Sequence, residues 1–423
     1  MICIRKACII WLAVVFALVL CSGFAFAQQP VALTYAYWGL PSVEQRVVDL
    51  FESEHPHIHI EVFQITGGTH GSAEKLLVMA ASESLPDMFS LSGTQGYPAT
   101  FMDAGFLLDL TPYMERDRIR PDLFVPNAWN YAMRDGRVYG WPRATYGISL
   151  GTGVIAYNRE MYRNAGLDYP QPGWTFDDFL SNARRLTIRP SGDGMPTQWG
   201  FNRPNYSWWQ IWVWSNGGEI FTDDLKEIRL LETPAIEALQ WLADLMTVHQ
   251  VAPTSVQAFE RQLSAMSHVS TSVYRDYTSY TDLDYSLIGP PRGPRGDSGY
   301  SLGGSNIIGV SAFTKHPEEV WMFLKFLADR RVHELEVFEW RTATPNLRSV
   351  ALSPRFLYSD TPPYDLSPIV YHNPAKPTPQ DPKWPAFHAL VQEIFAEVRT
   401  GRASAQAAFE AAEPRLKAAW GLE

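Results

Sequence analysis

From Val31 to Trp38 the chain alternates and is partly β-branched or aromatic, which predicts a first strand ending at Gly39-Leu40-Pro41. Val43, Val47, Leu50 and Phe51 then recur at helical spacing across Ser42–Ser53. His57–Ile65 alternates again, with Ile58, Ile60 and Val62 on one face. A helix over Ala73–Ser82 and a short strand over Asp87–Leu91 complete a β-α-β-α-β order. That order argues for an α/β fold whose parallel sheet is covered by helices. Farther on, a β-type run from Tyr146 to Tyr157 passes through Asn158 into a helix at Arg159–Ala165. Thr175 and Asp178 set a hydroxyl three places before an acid, a helix-start signature, ahead of an amphipathic helix at Phe176–Leu186. A tryptophan-rich helix at Trp208–Ser215 stops at Gly217-Gly218. Helices follow at Pro234–His249, Glu318–Arg330 and Ala403–Trp420, with a strand at Ile307–Ser311. Gly289–Gly304 is rich in Pro and Gly and reads as a loop, and the Pro-rich stretch Ser353–Pro385 reads as irregular.

Ahead of the first strand the pattern is that of an export leader. Arg5 and Lys6 precede the nearly all-apolar Ala7–Leu20, and Ala25-Phe26-Ala27 is a small-x-small cleavage site, so the mature chain is expected to start at Gln28. The apolar run is short for a membrane anchor, which needs about 20 residues. Lipidation at Cys21 is a third route, with Leu20 a poor fit before it. Cys3, Cys8 and Cys21 all lie in the leader, so the mature chain has no thiol for catalysis, metal binding or disulfides. Without the leader 423 − 27 = 396 residues remain, enough for two domains. The net charge moves from −10 to −12 as Arg5 and Lys6 are lost, and no basic run remains to bind nucleic acid.

Several short motifs occur in a telling order. They are Phe51-Glu52 through Pro56 and Ile58, Ala80-Ala81-Ser82-Glu83-Ser84-Leu85-Pro86-Asp87, Ala104–Tyr113, Tyr139-Gly140 with Pro142, Tyr157-Asn158, Ala165-Gly166-Leu167 and Trp174-Thr175. Phe259–Met266 and Glu318–Arg330 continue the series. This order resembles the bacterial extracellular solute-binding proteins, the family that includes the maltose-binding type. The chain departs from the pattern with Gln262 for a glycine and Val320 for an alanine. The resemblance implies an α/β periplasmic-binding-protein fold of two discontinuous lobes joined by hinge crossings. An N-terminal lobe of 28–143 and 290–345 and a C-terminal lobe of 144–289 and 346–423 are expected, with crossings near Arg143–Tyr146, Ile288–Pro291 and Thr344–Leu347. It further implies a periplasmic or extracellular monomer without cofactor or enzymatic activity. Such a protein captures a carbohydrate between its lobes and delivers it to an ABC transporter permease.

The aromatic content suits a carbohydrate. Of 15 tryptophans only Trp11 lies in the leader, leaving 14, and indole offers a flat apolar face with a polar tip. Trp38 at the end of the first strand, Trp208 and Trp212 four residues apart, and Trp340 beside Arg341 are candidate platforms. Trp241 and Trp321 sit on apolar stripes and read as core, Trp174 as a helix staple, Trp141 as hinge packing. Tyr146, Tyr274 and Arg275, Asn216 and Glu219 flanking Gly217-Gly218, Ser92 and Thr94 after the third strand, and Gly304 with Asn306 complete the candidate set. For Asn216 and Glu219 the alternative is helix capping. Trp384 suits a lid or an anchor. Arg143, Arg275 and Arg341 allow a variant reading in which the solute is anionic. The rival chemistry is hydrolysis. Gly299-Tyr300-Ser301-Leu302-Gly303 matches a nucleophile elbow, but a loop precedes it and a strand follows, the reverse of what an elbow needs. Asp223-Asp224 and Asp282/Asp284 offer carboxylate pairs, and His57, His59 and Glu61 share a strand face that suits solvent better than zinc.

Overall fold

The computed structural model describes residues 29–143, 151–190, 194–255 and 259–422. Its strands are β1 (Val31–Tyr37), β2 (Ile58–Gln64), β3 (Met88–Leu91), β4 (Gly140–Arg143), β5 (Thr152–Asn158), β6 (Met266–Ser270), β7 (Tyr285–Ile288), β8 (Ser301–Leu302), β9 (Asn306–Val310) and β10 (Ala375–Lys376). The principal helices are α1 (Pro41–Glu54), α2 (Gly68–Ala81), α3 (Phe176–Leu186), α4 (Trp209–Ser215), α5 (Thr233–Thr247), α6 (Pro317–Leu327), α7 (Trp384–Arg399) and α8 (Ala405–Trp420).

Two sheets organise the molecule. The first has the order β2-β1-β3-β9-β4 and the second β10-β8-β5-β6, with β7 also on β5. β1 pairs in parallel with β2 and β3, as the alternating βαβαβ start requires. β9 then runs antiparallel between β3 and β4, its Asn306 opposite Arg143. Leu33, Tyr35, Ala36 and Tyr37 of β1 are all buried, because helices cover both faces of this sheet. α1 turns Val47, Val48 and Phe51 inward, and α6 buries Val320, Trp321, Phe323 and Leu324. Trp141 and Trp321 meet edge to face at 5.6 Å inside this core.

The second lobe is built around α3, α4, α5, α7 and α8. α3 starts at a capping box: the Asp178 amide donates to Thr175 Oγ1 at 3.1 Å, and the Thr175 amide donates back to Asp178 Oδ2 at 2.9 Å. Phe176, Phe179, Ala183 and Leu186 then fall on its buried face. Trp174 staples the same helix, its ring 5.5 Å from Phe179. Trp241 is half-buried and stacks on Phe176 at 4.0 Å.

Two expectations change. The second passage between sheets is not at Ile288–Pro291. After β7 the chain stays with the second lobe, where Arg292 exchanges backbone bonds with Trp174 and Phe176 and the Gly293 amide donates to Ser215. The passage falls instead between β8 and β9, at Gly303–Ser305. The Pro/Gly run that suggested a hinge serves a loop laid over α4, while the true passage needs glycine for close approach: Tyr131 packs so tightly that a Cβ on Gly93 or Gly304 would overlap its ring. Nor is Ser353–Pro385 irregular throughout. Short helices span Pro354–Leu357 and Ser367–Tyr371, β10 follows, and α7 starts at Trp384 with Pro385 in its first turn, where proline costs no hydrogen bond. Among the described residues no helix is long and apolar enough to cross a membrane.

Thr175→Ala removes one acceptor of the capping box and should lower unfolding stability by about 1 kcal/mol. The midpoint of urea unfolding measures this, and an unchanged midpoint would show that the cap is idle.

Candidate functional site

The residues singled out from the sequence gather into three places, the first and third where the lobes face each other and the second within the second lobe, and several fall elsewhere. At the first, Ser92 is buried and its Oγ lies 3.4 Å from Thr94 Oγ1 in a 3₁₀ turn after β3. The Thr94 carbonyl accepts from Thr378 Oγ1 at 3.3 Å and from Trp384 Nε1 at 3.2 Å, so two groups of the second lobe grip one carbonyl of the first. Tyr131, wedged between Gly93 and Gly304, accepts the Thr378 amide at 3.1 Å. Arg134 Nη2 donates to the Gln380 carbonyl at 2.7 Å. Trp384 is fully buried beside Trp209 and His388, which makes it an anchor and not a lid. Nearby, Glu219 pairs with Lys376 at 2.6 Å, and both line a cavity of about 460 Å³ with Trp214, Phe221, Asp223 and Thr378.

The second place is a cavity of about 460 Å³ walled by Asn202, Arg203, Pro204, Asn205, Ser267 and His268, among others. Trp208 is half-buried and meets His268 edge to face at 5.1 Å. His268 Nε2 donates to the Gly153 carbonyl at 2.8 Å, which leaves Nδ1 as an acceptor with no partner among the described residues. Arg203 Nε likewise has none. The rings of Phe259 and Tyr277, the His268 imidazole, the Arg203 guanidinium and the amides of Asn202 and Asn205 wall one cavity, a set that can stack a sugar ring and meet its hydroxyl rim. Arg203 and His268 were missed from the sequence. The one available signal was the position of His268 two residues after Met266, in the strand that the Ala265-Met266 motif opens.

At the third, Tyr274 Oη donates to the Val337 carbonyl at 3.4 Å, its ring meets Phe356 at 5.6 Å, and the Arg341 guanidinium lies 5.5 Å from it. Burial holds the Tyr274 hydroxyl above its ordinary value, against the opposing pull of Arg341. Trp340 packs partly buried on the first-lobe core, next to Arg341, whose φ of 52° is left-handed. Trp38 is half-buried, ring-stacked with Tyr37 at 6.1 Å, and its amide donates to Ser90 Oγ at 3.2 Å. Tyr146 lies outside the described residues, as does the Arg275 side chain.

Three candidates are structural. Trp212 is fully buried among Phe176, Phe179, Phe201 and Trp241. Like Trp208 it meets His268, at 5.4 Å, but α4 is buried on every side, so Trp212 faces core while Trp208, which ends the preceding 3₁₀ turn, is only half-buried. Asn216 is buried and ties the helix end down, donating to the Pro234 carbonyl at 2.8 Å and accepting the Arg295 amide at 3.4 Å. Asn306 is buried at the start of β9. Arg143 is unavailable to an anionic solute, since Glu44 and Glu336 already bracket it at 2.8 and 2.6 Å. The hydrolase features also dissolve into structure. Ser301 is buried in β8 and accepts from Asn373 Nδ2 at 3.0 Å. Asp224 turns to Thr222 and Lys226, and Asp284 to Arg159 and Arg163.

A family model described as bacterial extracellular solute-binding protein matches residues 38–333. An arabinooligosaccharide-binding protein of Halalkalibacterium halodurans is 27% identical over 187 residues, which is 42% of this chain and 36% of that protein's length. Among solved structures, an ABC substrate-binding protein of Listeria monocytogenes in complex with cycloalternan superposes with a TM-score of 0.79 at 21% identity, covering 93% of this chain and 100% of that one. The maltose/maltodextrin-binding domain MalE of Bdellovibrio bacteriovorus, bound to maltotriose, gives 0.73 at 19% identity over 92% and 99%. These likenesses establish the two-lobe fold.

Burial holds three histidines neutral, pushing His268 down to about 3 and His333 and His388 to about 4 from an ordinary 6.5. The unfolded chain therefore takes up protons first. Their stabilising effect is whole above about pH 6.5 and is lost as pH falls toward about 4, at up to ~1.4 kcal/mol per unit for each histidine. The melting temperature should fall between about pH 6.5 and about pH 5, before most carboxylates titrate. A flat profile over that window would contradict the assignment.

Proposed function

Because this chain belongs to the bacterial extracellular solute-binding protein family, we propose that it captures a sugar or oligosaccharide between its lobes and passes it unaltered to an ABC importer. In this reading the first lobe comprises 29–143 and 303–347, and the second comprises the remainder of the described chain. The observation that carries the ligand class is the cavity walled by Asn202, Arg203, Asn205, His268 and Tyr277, a set of hydroxyl partners with an aromatic ring among them, while Trp208 packs on His268 behind it. The relatives' named ligands, an arabinooligosaccharide, cycloalternan and maltotriose, support the same class. The burial of Ser301, and the pairing of Asp224 with Lys226 and of Asp284 with Arg159 and Arg163, favour binding without chemistry. Export through the leader would place the protein on the outer side of the inner membrane, as a monomer working with a permease there.

The experiment is a thermal-shift and calorimetric screen over neutral mono- and oligosaccharides, followed by mass spectrometry of the bound sugar. At 100 Kd a ligand should stabilise the fold by about 2.7 kcal/mol, and the sugar should be recovered intact. A panel without any shift, or recovery of cleaved product, would overturn the reading.

Two tryptophans separate site from core. Trp208→Ala should weaken sugar binding about tenfold, or ~1.4 kcal/mol, with little effect on unfolding. Trp212→Ala should cost about 3–5 kcal/mol of stability. The reverse pattern would move the platform into the core.

A further inference from the structure

A further cavity, of about 500 Å³, lies outside the three places described above and is lined by Phe176, Asn216, Glu237, Trp241, Pro294 and Arg295. All six residues belong to the second lobe, so it does not depend on how the lobes close. Trp241 gives it an aromatic wall. The sequence reads this residue as core, but its indole is half-buried and stands outside the fully buried set of α5. The ring is fixed by its core contacts: Phe176 stacks on it at 4.0 Å with the planes 18° apart, and Trp212 and Phe179 meet it at 5.3 and 5.7 Å.

Glu237 precedes Trp241 by four residues in α5, so the two side chains share one helical face. Arg295 grips Glu237 as a fork, Nε donating to Oε2 at 2.6 Å and Nη2 to Oε1 at 2.9 Å. That fork holds the Glu237 carboxyl below its ordinary value, so it stays ionised. It also leaves Arg295 Nη1 with no partner among the described residues. Buried Asn216 pins the backbone next to the fork, its Oδ1 accepting the Arg295 amide at 3.4 Å and its Nδ2 donating to the Pro234 carbonyl at 2.8 Å.

The fork does little for the fold. Its side chains are 51% and 44% exposed, and water screens an ion pair this open. What it supplies is order: an acceptor and a donor held in place beside a fixed indole, so that little freedom is lost when a ligand binds. A pyranose needs this set. Its C–H face packs on the ring, and its hydroxyls donate to the carboxylate or accept from the guanidinium. An anionic ligand fits worse because Glu237 already neutralises Arg295, and a cationic one fits worse because Arg295 neutralises Glu237. The volume lies within the range of small-molecule sites, about 300–1,000 Å³.

We propose that this cavity is a second carbohydrate site, which takes a neutral oligosaccharide at the surface of the second lobe through Trp241, Glu237 and Arg295. The ligand class rests on the carbohydrate reading above, but the site shares no lining residue with the cavity of Arg203 and His268. Because one lobe alone contributes, a ligand held here does not bias closure. Its effect is retention: a glycan bound at the outer site meets the capture cavity at a raised effective concentration.

The test uses the full chain labelled with fluorotryptophan, the fluorine NMR signals of Trp241 and Trp208 being assigned by Trp241→Phe and Trp208→Phe. Maltotriose and arabinotriose are the probes. The Trp241 signal should move with added probe, with a dissociation constant in the millimolar range, and Arg295→Ala should weaken that constant about tenfold while leaving the Trp208 titration unchanged. Glu237→Gln keeps the shape and removes one charge of the fork. It should weaken binding in the same direction, and it serves where Arg295→Ala folds poorly. A Trp241 signal that stays still would overturn the proposal, and so would one that moves equally in the parent and both variants. Movement at Trp208 alone leaves the capture reading standing and removes the outer site; movement at Trp241 alone, weakened by the variants, does the reverse.

Discussion

A guanidinium cannot be taken out of water without partners, and the partners chosen for Arg143 constrain the whole molecule. Glu44 comes from 99 residues earlier and Glu336 from 193 residues later, so the bridge forms only when β1, α1, β4 and the segment after α6 are all in place. Removing any one member would strand a buried charge, a far larger penalty than the net worth of the intact pair. The first lobe is therefore closed around an electrostatic requirement as well as an apolar one.

The second lobe is held differently. Its core is a stack of aromatic rings, with Phe176, Phe179, Phe201, Trp212 and Trp241 in mutual edge and face contacts between 4.0 and 6.5 Å. Rings of this size fill volume with few rotatable bonds, so α3, α4 and α5 fit together in one register. Much of the tryptophan content that looks like a sugar platform is in fact this packing. What remains for a solute is the ring at the margin, Trp208, where the 3₁₀ turn ends and polar side chains begin.

Elements governed by local periodicity were legible in the sequence. The alternation of β1 and β2, the capping box of α3 and the stripe of α6 each depend on neighbours within a few residues, and each stands within two residues or so of its expected bounds, apart from the longer N-terminal reach of α2. Features governed by tertiary partners were not legible. Gly304 was read as a possible solute contact, yet it permits Tyr131 to lie against the passage. Arg143 looked like a free cation because its two carboxylates are distant in the chain. Trp212 does share His268 with Trp208, as the four-residue spacing suggested, but tertiary packing buries it fully. Arg203 and His268 carry no periodic or compositional mark at all; their role comes from the cavity that folding assembles around them.

The two lobes are tied to each other by side-chain bonds. Thr378 and Trp384 of the second lobe grip the Thr94 carbonyl of the first, and Tyr274 reaches the Val337 carbonyl from the other side. A solute can shift an equilibrium between open and closed forms only by the difference in its affinity for the two. Contacts that pre-exist in the closed form reduce the shift the solute must supply, and so raise apparent affinity. They also reduce discrimination, since a poor ligand needs less to close the same cleft. Among the described residues these contacts include five side chains, Tyr131, Arg134, Tyr274, Thr378 and Trp384, and under the proposed capture the rest of the closing free energy falls to the solute. Under the proposed capture, specificity would rest with the groups around Arg203 and His268, and the readiness to close with the strap from Lys376 to Trp384.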